Sequence, residues 1–242
     1  MHGAAFSFPG CVDQEKGEIL GYSGIKYIHH FPIGQKLAEI LNLPVAMEND
    51  ANCAALAEIW TGAAKNIDNV LFVVVGTGVG GAVVIDGKIH SGSHLYGGEF
   101  GFMHLGYGEN FASQTLSGVG TAVAMAKRYC EKVNIAIDAY NGKDVFELAR
   151  NGDVIAAQEV EVFYQALSIG LFNLQISFDP EAIVIGGGIS ANNEIINNLE
   201  IRVNELIQNA RIKDFRANIL PCFYRNDANL IGAVKNFLDK LS

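Results

Sequence analysis

Apolar and polar positions along this chain recur with the periods of both strands and helices. Six consecutive apolar residues, Val70–Val75, show no polar alternation, which predicts a strand covered on both faces. The apolar-rich segment Val154–Phe178 stops before Asp179-Pro180 and predicts a long helix. Apolar residues recur at helical spacing again in 195–207 and 228–241. This mixture of strands and helices predicts an α/β protein.

A carboxylate falls at the predicted start of one helix. Residues 43–47 predict a short strand, and the alanine-rich segment Ala51–Trp60 predicts a helix that Gly62 ends. Asp50 therefore lies at or next to the N-cap, and capping the helix is one interpretation of it. The other is a general base that takes a proton from a substrate hydroxyl while Asn49 holds a neighbouring hydroxyl. Such a base contributes roughly 10²–10⁴-fold to a rate.

A glycine-rich segment, Gly76–Gly81, follows the apolar strand. Glycines at four of its six positions let backbone N–H groups turn toward an anion, and Thr77 adds a hydroxyl donor. The segment lacks the Lys-Ser/Thr ending of a P-loop. A glycine-rich β-hairpin is the alternative, because Ala82–Ile85 follows at once and Asp86-Gly87 predicts a second hairpin turn.

Four motifs, in order along the chain, resemble those of the ROK (repressor, open reading frame, kinase) family. They are Glu48-Asn49-Asp50-Ala51-Asn52, Gly76–Gly81, Gly97-Gly98-Glu99-Phe100-Gly101 and Ile183–Ile189. The family comprises sugar kinases and sugar-responsive repressors. The resemblance runs over essentially the whole chain and implies a two-lobed, ribonuclease H-like α/β fold of the actin, hexokinase and Hsp70 type. It places residues 1–66 and 227–242 in a small lobe and residues 67–226 in a large lobe with the nucleotide-binding loops.

The resemblance also implies roles for single residues. Asp50 corresponds to the base that deprotonates the sugar 6-hydroxyl, and Asn49 and Glu99 correspond to sugar ligands. Glu109 is a candidate ligand near the anomeric side, with a solvated loop glutamate as the alternative. ATP, together with Mg²⁺, is expected to lie against two loops. Their residues are Gly76, Thr77, Gly78, Gly80 and Gly81 in the first and Gly186, Gly187 and Gly188 in the second.

The chain departs from the family pattern at the structural zinc site. Phe102 stands where most family kinases have a histidine, and the four cysteines lie far apart with no C-x-x-C pair, so we expect no zinc. The missing histidine and a shortened loop predict a pocket that is more open at the anomeric oxygen. The zinc-free members that this chain resembles include β-glucoside kinases, and a β-glucoside is therefore a candidate substrate beside a free hexose.

A second departure concerns the start of the chain. The resemblance implies a leading Asp-x-Gly-Gly-Thr phosphate motif, which this sequence does not contain. We therefore expect a small lobe without its first strands, an unpaired edge on strand 4–8, and poor or no ATP turnover. The alternative function is sugar binding without catalysis, by a truncated kinase remnant or the sensor part of a repressor.

Composition and charge argue against two classes of partner, nucleic acids and membranes. The formal net charge of −9 argues against nucleic-acid binding by this chain alone. No apolar run approaches the ~20 residues of a membrane span, so we expect a cytoplasmic location and no membrane partner. The resemblance implies a homodimer.

Overall fold

The computed structural model describes residues 2–21, 23, 25–106 and 111–241. Packing divides the chain into two compact units. The first contains Met1–Phe72, Gly81–Gly98 and Cys222–Ser242, and the second contains Val73–Gly80 and Glu99–Pro221. The lobe boundaries given above, at 66 and 226, stay a prediction.

The described residues form an α/β protein, as predicted. The strands are β1 Ala4–Phe8, β2 Cys11–Asp13, β3 Glu18–Leu20, β4 Val45–Asn49, β5 Val70–Val75, β6 Val79–Ile85, β7 Lys88–Ile89, β8 Ala182–Gly186 and β9 Ile219–Pro221. The α-helices are α1 Ile33–Leu41, α2 Asp50–Thr61, α3 Leu116–Val119, α4 Ala122–Lys132, α5 Gly142–Arg150, α6 Val154–Phe178, α7 Asn193–Asn209 and α8 Ala228–Leu241. None of the helices in these residues has the length and apolar content needed to cross a membrane.

The first unit is organised around β4 and α2. Strand β1 pairs in parallel with β4, with Phe8 opposite Asn49, and β2 and β3 form an antiparallel hairpin. Helix α8 packs so closely on α2 that a Cβ on Gly232 would lie 1.5 Å from the carbonyl oxygen of Cys53. Asn236 on α8 also donates a hydrogen bond to the carbonyl oxygen of Met47 at 3.3 Å. These contacts hold the junction between β4 and α2, where Asn49 and Asp50 lie.

Five strands form the larger sheet, in the order β7-β6-β5-β8-β9. Five of the six residues of β5 are buried, as expected for a strand covered on both faces. Strand β9 lies at an edge of the sheet. This position suits Pro221, because proline has no backbone N–H to donate to a second neighbouring strand. In the second unit, α6 begins after Asp153, whose side chain accepts from the N–H of Ala156, and ends at Asp179 in a left-handed conformation.

Two helical regions show features that the sequence analysis did not predict. Between residues 116 and 132 the helical structure is interrupted, because Gly120 is the C-cap of α3 and Thr121 caps the next helix, α4. The apolar residues that recur at helical spacing in 228–241 form a stripe on α8, a pattern typical of a face turned toward the core. The structure instead buries the small side of this helix and exposes the stripe, because Gly232 and Ala233 allow the close approach to α2. The exposed residues of the stripe are Leu230, Val234, Leu238 and Leu241.

Candidate active site

The junction between β4 and α2 is built around the side chain of Asn49. This residue is the N-cap of α2, and its Oδ1 accepts hydrogen bonds from the N–H groups of Ala51 at 2.8 Å and Asn52 at 3.1 Å. Its Nδ2 donates to the carbonyl oxygen of Gly10 at 3.0 Å. Asp50 was predicted at or next to the cap, and it lies next to it, as the first residue of α2.

Because Asn49 supplies the cap, the carboxylate of Asp50 is not needed for that purpose. Asp50 is exposed, and its Oδ1 accepts from the N–H of Ala51 at 2.9 Å. Desolvation by the surrounding protein raises the pKa of Asp50 above its ordinary value, against the opposing effect of hydrogen bonds from Ala51 and Asn49. The arrangement presents a solvent-accessible carboxylate whose basicity is increased, which suits a general base.

A second carboxylate, Glu48, lies buried beneath this junction. Only 4% of Glu48 is exposed, and the carboxylate accepts from the N–H of Asn49 at 2.7 Å, from Nδ2 of Asn52 at 3.0 Å and from Nε2 of Gln14. Burial raises the pKa of Glu48. Sequence reasoning gave this residue no role, although its position in β4, one residue before the cap, is the signal that could have identified it. Through these hydrogen bonds Glu48 fixes the backbone that carries Asn49 and Asp50.

In the second unit, two of the predicted glycine segments line one cavity of about 1010 Å³. Gly76 and Thr77 lie in its wall, and so does Gly188, after β8. A Cβ on either Gly76 or Gly188 would meet no protein atom within 4 Å, so packing does not require glycine there. The open space beside these backbones is where a ligand would lie.

The first glycine segment is both a hairpin and part of this wall. The N–H of Gly76 donates to the carbonyl oxygen of Gly78 at 2.9 Å and closes a tight turn between β5 and β6. Gly80 and Gly81 lie within β6, so only residues 76–78 form the loop. The hairpin interpretation and the ligand-binding interpretation are therefore compatible.

The second glycine segment needs glycine at one position for a structural reason. Gly187 has a φ of +80°, and its Cβ would lie 2.2 Å from the carbonyl oxygen of Val75. Gly186 is the last residue of β8. Gly187 thus brings β8 against the end of β5, and Gly188 is the residue of this segment that reaches the cavity.

Helix α5 forms another wall that sequence reasoning missed. Lys143, Phe146, Glu147 and Arg150 all line the cavity from one face of this helix. The ring of Phe146 is held by edge contacts with Phe163 and Tyr164, at centroid distances of 5.5 and 6.1 Å. The guanidinium of Arg150 is paired with Glu194 on α7 at 2.6 Å. Nothing in the spacing of residues 142–150 indicated a ligand, because the helix carries no glycine motif.

The remaining predicted ligands are placed as follows. Glu99 is half-buried and follows Gly98, whose φ of +95° and close approach to the carbonyl oxygen of Gly81 exclude a side chain. Phe102 is 63% exposed. Glu109 lies outside the described residues. All four cysteines are buried, and the part of the chain that the structure describes contains no group of three His, Cys, Asp or Glu arranged to hold a metal.

Comparison with known proteins identifies the family to which this chain belongs. The ROK family model matches residues 1–240. A β-glucoside kinase from Listeria monocytogenes is 32% identical over 241 residues, which cover 98% of this chain and 80% of the relative. A ROK family protein from Streptococcus pneumoniae TIGR4, solved in complex with sucrose, is 35% identical, with a TM-score of 0.90 over 99% of this chain and 81% of that chain.

A ROK family glucokinase from Streptomyces griseus, solved with glucose and AMPPNP, is 25% identical, with a TM-score of 0.77 over 97% of this chain and 80% of that chain. These relatives share the actin- and hexokinase-like α/β fold that was predicted. The four motifs, the fold and the match along nearly the whole sequence agree, and the chain belongs to the ROK family of sugar kinases and related proteins.

Proposed function

We propose that this chain transfers a phosphoryl group from ATP to the 6-hydroxyl of a hexose or a β-glucoside, with Asp50 as the general base. The observation that carries the proposal is the setting of Asp50, an exposed carboxylate with a raised pKa at the start of α2. A base whose pKa moves toward the working pH accepts a proton in the transition state more effectively. The sugar-kinase relatives support the same class of reaction.

Asn49 orients the hydroxyls beside Asp50. Its Oδ1 is occupied by the two N–H groups of α2, and one N–H of its amide goes to Gly10. The second N–H of the amide donates to the carboxylate of Asp50 and can share this hydrogen bond with a sugar hydroxyl beside that carboxylate. Because the cap holds the amide in place before the sugar arrives, this donor is preorganised. Glu99 and Glu109 stay candidate sugar ligands on the strength of the resemblance alone.

The cavity between the glycine loops and α5 is the proposed nucleotide site. Glycine at 76 and 188 leaves room for a ligand to approach the backbone, and Lys143 places positive charge in the wall. Phe146 offers a fixed apolar ring for a base. When bound, ATP supplies the phosphoryl group. Mg²⁺ is expected only as the ion that accompanies its phosphates, and we assign it no residue.

A glycoside is the substrate class that we favour over free glucose. The motivation is Phe102, which replaces a histidine of the family pattern and is largely exposed. Two relatives point the same way: one is named a β-glucoside kinase, and another was solved with sucrose. The homodimer and the cytoplasmic location implied by the resemblance stay predictions.

The test is sugar-dependent ADP release with Mg-ATP, comparing glucose, N-acetylmannosamine and cellobiose. Sugar-dependent ADP release that favours cellobiose over glucose would support the proposal and would contradict the expectation of poor or no ATP turnover. Equal or better turnover of glucose would contradict the glycoside assignment. A folded protein that binds sugar but releases no ADP would instead support the sugar-binding alternative.

A further inference from the structure

We infer that a cavity with a mixed polar and apolar lining in the first unit is the subsite for the second sugar ring of a disaccharide substrate; this inference rests on the proposed sugar-kinase function. The cavity, called here the hairpin cavity, has a volume of about 560 Å³. Its walls are the turn between β2 and β3 and the loop that follows β7. The volume lies within the roughly 300–1,000 Å³ common for small-molecule sites.

The hairpin cavity is linked to the proposed catalytic junction by one short series of contacts. Gln14 lines the cavity, and its side-chain amide donates to the carboxylate of Glu48. Glu48 accepts in turn from the backbone N–H of Asn49 at 2.7 Å. A single buried side chain, that of Glu48, therefore separates Gln14 in the cavity wall from Asn49, which is proposed to hold the first sugar. A substituent on that sugar has a polar space within the same unit.

Both walls of the cavity are fixed by hydrogen bonds. In the hairpin turn, Oδ1 of Asp13 accepts from the N–H groups of Glu15 at 3.1 Å and Lys16 at 3.0 Å. In the opposite loop, the N–H of Gly97 donates to the carbonyl oxygen of Ser91 at 2.9 Å. A site held in this way orders few side chains when a ligand binds, so less of the binding energy is lost.

The side chains that line the cavity suit a neutral, hydroxyl-rich ligand. Within the described residues, the structure records no hydrogen bond for the side chains of Ser91, Ser93 and His94, which leaves their donors and acceptors available to a ligand. Lys16 is paired with Asp13 at 3.1 Å, and Glu15 adds a carboxylate, so an anionic group would find little compensating charge.

Apolar side chains complete the lining and contact the less polar face that a sugar ring presents. Val12 is buried and Leu20 is half-buried where they line the cavity. The hydroxyl, imidazole and carboxylate groups beside this apolar surface suit a second sugar ring, whereas an aryl group would leave those polar groups without hydrogen bonds. The chemical class inferred for the occupant is thus an uncharged hexose ring joined to the phosphorylated sugar.

The test measures binding without phosphoryl transfer, by titration calorimetry of the full chain with glucose, methyl β-glucoside and cellobiose. We expect cellobiose to bind more tightly than the other two, which shows that the second ring makes the contact. Ser93→Phe should fill the cavity and lower the ratio of cellobiose to glucose affinity at least about tenfold. His94→Ala should lower the same ratio about three- to tenfold, the effect of one lost hydrogen bond.

His2→Ala is the matched control, because it removes an exposed histidine elsewhere and should leave the ratio unchanged. Thermal unfolding followed by circular dichroism confirms that each variant is folded. Equal binding of glucose and cellobiose by the unmodified chain, or an unchanged ratio in both cavity variants, would overturn the subsite while leaving the proposed sugar site intact. Failure to bind any of the sugars would overturn the proposed function and the subsite together.

Discussion

The side-chain amide of Asn49 donates a hydrogen bond to the main-chain carbonyl oxygen of Gly10 at 3.0 Å. The residue that caps α2 is thereby also tied to the turn that follows β1. Asn49 has two separable roles: its oxygen stabilises the helix, and its amide is the proposed donor to the sugar.

Substitution of Asn49 separates these roles. Asn49→Ser keeps an oxygen that can cap α2 but removes the amide, whereas Asn49→Ala removes both. We expect the free energy of unfolding of Asn49→Ala to be about 1 kcal/mol below that of Asn49→Ser in urea denaturation. Sugar affinity should fall similarly in both variants. Equal stability would show that the cap contributes nothing measurable.

Asp50→Asn should lower turnover by about 10²–10⁴-fold while sugar affinity is retained, because an amide cannot accept the proton of the substrate hydroxyl. Steady-state kinetics and calorimetry measure the two quantities. Asp214→Asn, which alters an exposed aspartate in the second unit, is the control. Near-normal turnover of Asp50→Asn would remove Asp50 from the mechanism.

The pH dependence of stability gives an independent check on Asp50. Its pKa is higher in the folded protein than its ordinary value of 3.8, so folding favours the protonated form. The stability of the unmodified chain relative to Asp50→Asn must therefore fall as the pH rises through the folded-state pKa. We expect Asp50→Asn to be the more stable protein at about pH 7.5, with a smaller advantage at about pH 4.5.

Chemical denaturation of both proteins at each pH measures this difference. Glu48 also has a raised pKa, but it is present in both proteins and its effect cancels to first order. A difference in unfolding free energy that does not vary with pH would show that the carboxylate of Asp50 is not perturbed by folding.

Glu58→Ala should destabilise the protein strongly. This buried carboxylate accepts from the N–H groups of Ala63, Phe223 and Tyr224, at 2.7, 3.1 and 2.9 Å, and from Sγ of Cys222 at 2.9 Å. Its removal leaves several donors without an acceptor, and we expect a loss of about 3 kcal/mol or more.

Glu39→Ala is the matched control for Glu58, because Glu39 is a half-exposed glutamate whose pairing with Lys36 lies at the surface. Its effect on the free energy of unfolding should stay within about 0.5 kcal/mol. Comparable losses in the two variants would contradict the role assigned to the buried carboxylate.

The two glycines after β8 should respond differently to alanine. Gly187→Ala places a Cβ 2.2 Å from the carbonyl oxygen of Val75 at a positive φ, so we expect a clear loss of stability, of about 2 kcal/mol or more. Gly188→Ala meets open space and should change stability by less than about 0.5 kcal/mol. If Gly188 lies against the nucleotide, the same variant should raise the KM for ATP.

Helices with strong end signals were predictable from sequence. The bounds of α6 agree with prediction because Asp153 caps its start and Asp179 with Pro180 stops it. The break between α3 and α4 was not predicted, although Gly120 at one C-cap and Thr121 at the next N-cap mark it locally. The exposed stripe of α8 was missed because periodicity identifies an apolar face but does not show that the face of small residues packs more closely.

The parts of the candidate site that could be predicted are those where a sequence motif marks a helix cap or a glycine-rich turn. Asn49, Asp50 and the glycine loops carry such motifs. Glu48 lies in the first of these motifs, but its role was missed because it depends on its burial and on a distant partner, Gln14. The α5 wall carries no motif, because its role depends on the cavity beside it, which tertiary structure sets.

The packing of α2 on α8 bears on the order of folding. Asn236 contacts Met47 across 189 positions, and Cys222 contacts Glu58 across 164. Helices α4–α7 of the second unit are consecutive in sequence and contact one another, so they can assemble early. During synthesis, the helix that carries Asp50 therefore lacks its main neighbour until residues 228–241 have left the ribosome. The proposed catalytic junction is among the last parts of the molecule to form.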